Sequence, residues 1–171
     1  VGLSFVRFCK ILGLGPIISC DMEKSRLDLS REMGADECLD ARSTKPEVWA
    51  KERFPEGLDF VVDAVGVTDL LNQAMNIVKF NGSICAYGIS PRSQMNLIWE
   101  NGPYNWKLHF LQWPTFQEES ATHSQILNWI QLGVLDAGRF VTHTLPLHRL
   151  QEGLALLRER KALKAVIDLK A

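Results

Sequence analysis

Three short apolar runs in this 171-residue chain each end on residues suited to holding a ligand. Pro16-Ile17-Ile18-Ser19-Cys20 stops at Asp21. Its carboxylate can accept hydrogen bonds from both hydroxyls of a ribose or, in the other reading, cap the helix that follows. Leu58-Asp59-Phe60-Val61-Val62-Asp63 runs into Ala64-Val65-Gly66, and Ser83-Ile84-Cys85-Ala86-Tyr87 ends at Gly88. Both glycines are small enough for a flat ligand to touch the backbone. Open parallel sheets bind ligands outside the carboxyl ends of their strands, so three such ends together define a crevice. An acidic residue in the place of Asp21 also repels the 2′-phosphate of NADP, which favours NAD.

A phosphate-binding loop must follow a strand and open a helix, so that amides at the helix N-terminus face the pyrophosphate. Gly13-Leu14-Gly15 imitates that motif, but it precedes a strand and position 18 is Ile. Val1-Gly2 fits better, because it opens a helix and Asp21 lies 19 residues after Gly2, close to the usual separation of about 20. On this reading Gly2 is the last glycine of a fingerprint that starts before Val1. Cys9, Cys20, Cys38 and Cys85 lie 11, 18 and 47 residues apart, too far for half a tetrahedral zinc site, and are expected as buried reduced thiols of a cytosolic protein. His109, His123, His143 and His148 have no helical pair spacing with another ligand. No catalytic residue and no metal ligand is assigned.

The elements that position these residues follow from periodicity. Helical spacing over residues 1–12 ends at Gly13 and Gly15-Pro16. Strands are expected at 16–21, 37–39, 58–63 and 83–87, and helices at 25–33, 47–54 and 68–78, with Thr68 as N-cap and a turn at Asn81-Gly82. Short buried strands alternating with helices mean right-handed βαβ units and an α/β doubly wound parallel sheet. Farther on, strands are expected at 95–99, 107–111, 140–145 and 165–169, with helices at 118–132 and 149–159.

Composition narrows the function classes. Hydrophobic residues are 46% and charged residues 23% of the chain, as in a globular protein. Net charge is −1, without the basic surplus that nucleic acid or an anionic membrane would require. Arg7 and Lys10 interrupt the apolar N-terminal run, which argues against a targeting or spanning segment.

With these landmarks in order, the whole chain resembles the C-terminal half of a zinc-type medium-chain alcohol and polyol dehydrogenase. The resemblance rests on Val1-Gly2, Cys20-Asp21 with Arg26 five residues on, Met33-Gly34-Ala35-Asp36, Asp63-Ala64-Val65-Gly66 and Ala86-Tyr87-Gly88. It continues through Thr142-His143, Leu150-Gln151-Glu152-Gly153 and Ala165-Val166-Ile167. It implies a Rossmann NAD-binding domain over residues 1–111, incomplete at its start, and a piece of the catalytic domain over 112–171.

The resemblance also implies roles for particular residues. Val1 and Gly2 would lie beneath the pyrophosphate and the nicotinamide ribose. Asp21 would hold the adenosine ribose, with Arg26, where the family usually has Lys, on its other side. Ala64 and Val65 would line the adenine and ribose cleft, and Tyr87, Gly88 and Ile89 would pack on the nicotinamide. The backbone of His109 and Leu111 would orient the carboxamide. Lys164 would reach a phosphate or, in the other reading, stand as a solvated charge beside Arg158, Arg160 and Lys161.

The intact protein is expected to be a cytoplasmic, NAD-dependent oxidoreductase. Zinc, bound by ligands outside this segment, would act as Lewis acid on a small alcohol or polyol. Residues 95–99 would be the edge strand that joins two sheets in a homodimer, unless Leu97, Ile98 and Trp99 are ordinary core. Because the strand preceding Val1 would be central, in the order 3-2-1-4-5-6, the strands at 16–21 and 58–63 are expected to flank an open slot and not to pair. The segment alone is then expected to be unstable and inactive. The alternatives are a zinc-independent NADPH quinone-reductase-like enzyme, a methyltransferase, or an inactive dimerising or nucleotide-binding module. Asp21 counts against the first, and the sequence from Phe140 onward against the second.

Overall fold

The computed structural model describes residues 1–89, 94–111 and 113–170. It divides into two compact units, Val1–Pro114 and Thr115–Ala171. The first carries α1 (Gly2–Ile11), β1 (Ile18–Asp21), α2 (Lys24–Met33), β2 (Glu37–Asp40) and α3 (Pro46–Arg53). It continues with β3 (Leu58–Asp63), α4 (Thr68–Ile77), β4 (Val78–Ala86), a 3-10 turn at Trp99–Asn101 and β5 (Lys107–Phe110). The fold is α/β with parallel sheets: β1 pairs with β2, and β3, β4 and β5 form a second sheet in that order. As expected of strands flanking a slot, β1 and β3 do not pair.

Each half has its own glue. Asp36, just before β2, accepts the Ile17 amide at 2.8 Å and the Lys10 ammonium at 3.2 Å, tying the end of α1 to the start of both strands. On the other side, Leu71, Ala74 and Met75 of α4 recur at helical spacing and meet Val78, Ile84 and Ala86 of β4, all of them buried. Burying each large side chain there contributes about 1.5–3 kcal/mol. Side chains alternate along β3, so Val61 joins this cluster while Phe60 and Val62 stay exposed on the opposite face.

Several boundaries differ from expectation. Thr68 is the first residue of α4 and is buried; Val67 holds the cap position, without a side-chain cap. β4 starts at Val78, which pairs with Leu58, and absorbs Asn81-Gly82 as an irregularity in register instead of a separating turn. The largest correction concerns residues 95–99, which form no strand. The Asn72 side chain of α4 donates to the Asn96 carbonyl at 3.1 Å and accepts from the Ile98 amide at 2.8 Å. A carboxamide offers donor and acceptor side by side, so it satisfies an extended segment as a neighbouring strand would. Met95 and Leu97 pack onto the α4 cluster, whereas Ile98 and Trp99 are exposed, with Trp99 tilted against Trp106 at 5.5 Å. The core reading thus holds for Leu97 only.

The second unit contains α5 (Phe116–Gln131), a 3-10 turn at Ala137–Phe140, β6 (His143–Pro146), a further turn at Leu147–Arg149, α6 (Leu150–Arg158) and β7 (Ala165–Asp168). Thr115 and Glu118 form a capping box at the start of α5. β6 and β7 are parallel, with α6 as their crossover and Gly153 set close to Leu145 and Ala165. β6 begins three residues later than expected because Asp136 caps the Ala137–Phe140 turn, accepting the Gly138 amide at 2.9 Å. Among the described residues no helix is long and apolar enough to cross a membrane.

If Asn72 holds the 96–98 segment, Asn72→Ala should lower stability by about 1–2 kcal/mol in urea unfolding and speed hydrogen exchange at the Ile98 amide. Unchanged exchange there would contradict the assignment.

Candidate functional site

The carboxyl ends of β3 and β4 are tied together by Asp63, which is 5% exposed. Its Oδ1 accepts the amides of Val65 at 2.9 Å and Gly66 at 3.0 Å, a side-chain turn that an aspartate at a strand end makes readily. Its carbonyl accepts the amides of Tyr87 at 2.9 Å and Gly88 at 2.8 Å. The two segments then meet backbone on backbone. A Cβ built on Gly88 would lie 2.0 Å from the Gly66 nitrogen and 2.3 Å from the Val65 carbonyl carbon. Gly66 itself has φ +90°, which only glycine adopts at no cost.

Around this contact the structure gathers most of the expected residues. Gly2 opens α1 beside Ala64, its virtual Cβ 3.8 Å from the Ala64 Cβ. No side chain caps that helix start and its first turn carries no acidic residue, so the positive end of its dipole is not neutralised from within. Tyr87 meets Phe5 of α1 edge to face, with ring centroids 5.2 Å apart. Val1, Val65 and Ile89 are exposed. The Leu111 amide donates to the Ala86 carbonyl at 3.1 Å, while His109 pairs with Cys85 in the ladder. Lys164 belongs to the second unit; its exposed residue precedes β7, and its carbonyl accepts the Thr142 amide and hydroxyl.

Asp21 ends β1 in a different environment. Its Oδ1 accepts the Glu23 amide at 3.0 Å in the turn entering α2, which is the capping reading. Its Oδ2 faces Arg26 at 3.8 Å, and Arg26 Nε is buried without a hydrogen-bond partner among the described residues. Asp40 stands opposite Asp21 in register. The Arg42 guanidinium and amide hold the Asp40 carboxyl down to about 2. Whatever stability this pair supplies is present above the ordinary carboxylate range and is lost as pH falls through about 2.

The cysteines are reduced, but Cys9, Cys38 and Cys85 are only half-buried and Cys20 is exposed, a correction to the expected burial. Desolvation of the sulfur, then the carboxylates of Asp21, Asp40 and Glu47, push the Cys20 thiol up to about 11, so it is no nucleophile near neutral pH. Among the described residues no three His, Cys, Asp or Glu side chains gather as a metal site. The residues present do not fit a zinc ion, and no step is derived through one. Asp63 is the residue that sequence reasoning passed over. The available signal was a carboxylate three residues before a glycine at a strand end.

Residues 1–111 match the family described as zinc-binding dehydrogenase. The L-threonine 3-dehydrogenase of Yersinia pestis is 26% identical over 169 residues, covering 98% of this chain and 48% of that enzyme. The chain thus spans about half the length of the curated relatives it matches. Among solved structures, benzyl alcohol dehydrogenase from Acinetobacter calcoaceticus superposes with a TM-score of 0.85 at 19% identity, over 97% of this chain and 46% of that one. 2R,3R-butanediol dehydrogenase from Bacillus subtilis gives 0.82 at 19% identity, over 96% and 47%. At such identities the superpositions speak for the fold alone.

The Gly66–Gly88 contact predicts that Gly88→Ala costs at least about 2 kcal/mol, because the added methyl meets backbone and not a movable side chain. Denaturant unfolding measures this, and a loss under about 0.5 kcal/mol would mean the two segments are not in contact.

Proposed function

The chain belongs to the zinc-binding dehydrogenase family, and from that premise we propose that the strand-end crevice binds NAD for hydride transfer to or from a small alcohol or polyol. The observation that carries this reading is the Gly66–Gly88 contact, a side-chain-free floor flanked by the exposed Val65 and Ile89 and by the uncapped start of α1. When bound, the nicotinamide supplies a hydride acceptor or donor; the chain's own residues bind and orient it.

In this reading Val1 and Gly2 present the start of α1 to the pyrophosphate, where backbone amides favour an anion. Asp21 accepts the adenosine ribose hydroxyls through Oδ2, since Oδ1 is engaged by Glu23, and Arg26 steadies that carboxylate from the other side. Ala64 and Val65 line the adenine side, Tyr87, Gly88 and Ile89 the nicotinamide side, and the backbone of His109 and Leu111 the carboxamide. Lys164 serves a phosphate. Asp21 supports NAD over NADP, because a 2′-phosphate would meet its charge. Zinc chemistry on the alcohol is assigned to the intact protein through ligands elsewhere, so this segment alone is inactive. The protein is read as cytoplasmic, and as a homodimer whose contact includes the exposed Ile98 and Trp99 surface beside the clamped 95–97 segment; this does not require a 95–99 strand.

Titrating the protein with NADH and NADPH, followed by energy transfer from tryptophan, should show NADH binding at least tenfold tighter. Asp21→Ala should weaken NADH by roughly tenfold, as expected for a lost charged hydrogen bond, and narrow the preference. Binding of neither dinucleotide, or tighter binding of NADPH, would contradict the reading.

A further inference from the structure

We propose that Asp63 is a positioning residue that preforms both walls of the crevice before the dinucleotide arrives. The inference rests on the dinucleotide-binding reading above. Four backbone amides converge on this one residue: Val65 and Gly66 on its side chain, Tyr87 and Gly88 on its carbonyl. Burying a carboxylate is unfavourable unless its oxygens are hydrogen-bonded, yet Asp63 is 5% exposed and its Oδ2 is buried without a partner among the described residues. Core packing would be served better by an apolar side chain. The gain from the aspartate lies in the turn, because Oδ1 fixes Val65 and Gly66 in the one conformation that lets Gly88 approach to backbone contact.

The coupling between the walls follows from that geometry. Gly88 is held by the Asp63 carbonyl and wedged against Gly66 and Val65, so releasing residues 64–66 also releases the adjoining end of β4. A ligand lying on both segments would then have to order them itself, and ordering at the moment of binding weakens affinity. Asp63 acts through these backbone segments and need not touch the ligand. Because only one carboxylate oxygen is engaged, the charge is dispensable: an asparagine presenting its Oδ1 to the same two amides does the same work.

The test uses the full-length protein with NADH as the probe, and hydrogen exchange of the ligand-free protein. Asp63→Ala should bind NADH at least tenfold more weakly and exchange the Val65 and Gly66 amides at least tenfold faster. Asp63→Asn should restore both to within about threefold. If the alanine variant does not fold, Asp63→Ser, whose hydroxyl reaches fewer amides, should fall between wild type and the loss expected for alanine. A merely structural role would instead lower affinity in step with melting temperature in every variant, with no recovery in Asp63→Asn. Wild-type NADH affinity in the folded alanine or serine variant overturns the proposal and leaves the dinucleotide reading standing. Failure of the unaltered protein to bind NADH overturns both.

Discussion

The contact between Gly66 and Gly88 is the constraint on which the rest of the candidate site depends. Two parallel strands end side by side, and the segments that leave them must turn without placing a side chain between. Glycine at both positions removes the obstacle, and Asp63 supplies the hydrogen bonds that hold the turn. Everything expected to touch a flat ligand is arranged around that point. Ala64 lies beside Gly2, Tyr87 leans on Phe5, and Val65 and Ile89 extend from either side. The amino-terminal end of the same sheet is unlike this one. There Asn81, Trp99, Tyr104, Asn105, Trp106 and Lys107 line a shallow aromatic cavity.

The sheet itself is divided. β1 with β2, and β3 with β4 and β5, are separate ladders whose facing members do not pair. The first unit is held across this division by helices, with α1 against α2 and α3 against α4, and by Gly2 and Phe5 reaching to Ala64 and Tyr87. Strand edges left open are costly in a buried sheet and are usually paired or covered. Phe60 and Val62, exposed on the face of β3 opposite α4, are surfaces of the same kind. The division agrees with a doubly wound order in which one central strand comes from elsewhere.

Much of this was legible in the sequence, for definite reasons. Short apolar runs closed by Asp21, Asp63 and Gly88 mark parallel strands because both of their faces are usually covered. Gly34 marks the end of α2 because a left-handed residue closes that helix. What could not be read were contacts distant in sequence. The apolar Met95–Leu97 stretch has a strand's composition, but its backbone is satisfied by Asn72 from a helix more than twenty residues away. Asp63 was visible as a strand end, while its four amide partners emerge only when β3 and β4 are set side by side. Asp21 was left between two roles, and the structure shows one oxygen capping α2 and the other facing Arg26.

The most direct test of the central claim is amide chemical-shift mapping of the isotope-labelled protein during titration with NADH. The account predicts shifts clustered at Gly2, Val65, Gly66, Gly88 and Ile89, with Asn81, Asn105 and Lys107 at the far end of the sheet unmoved. Shifts concentrated at that far end, or none anywhere, would contradict it.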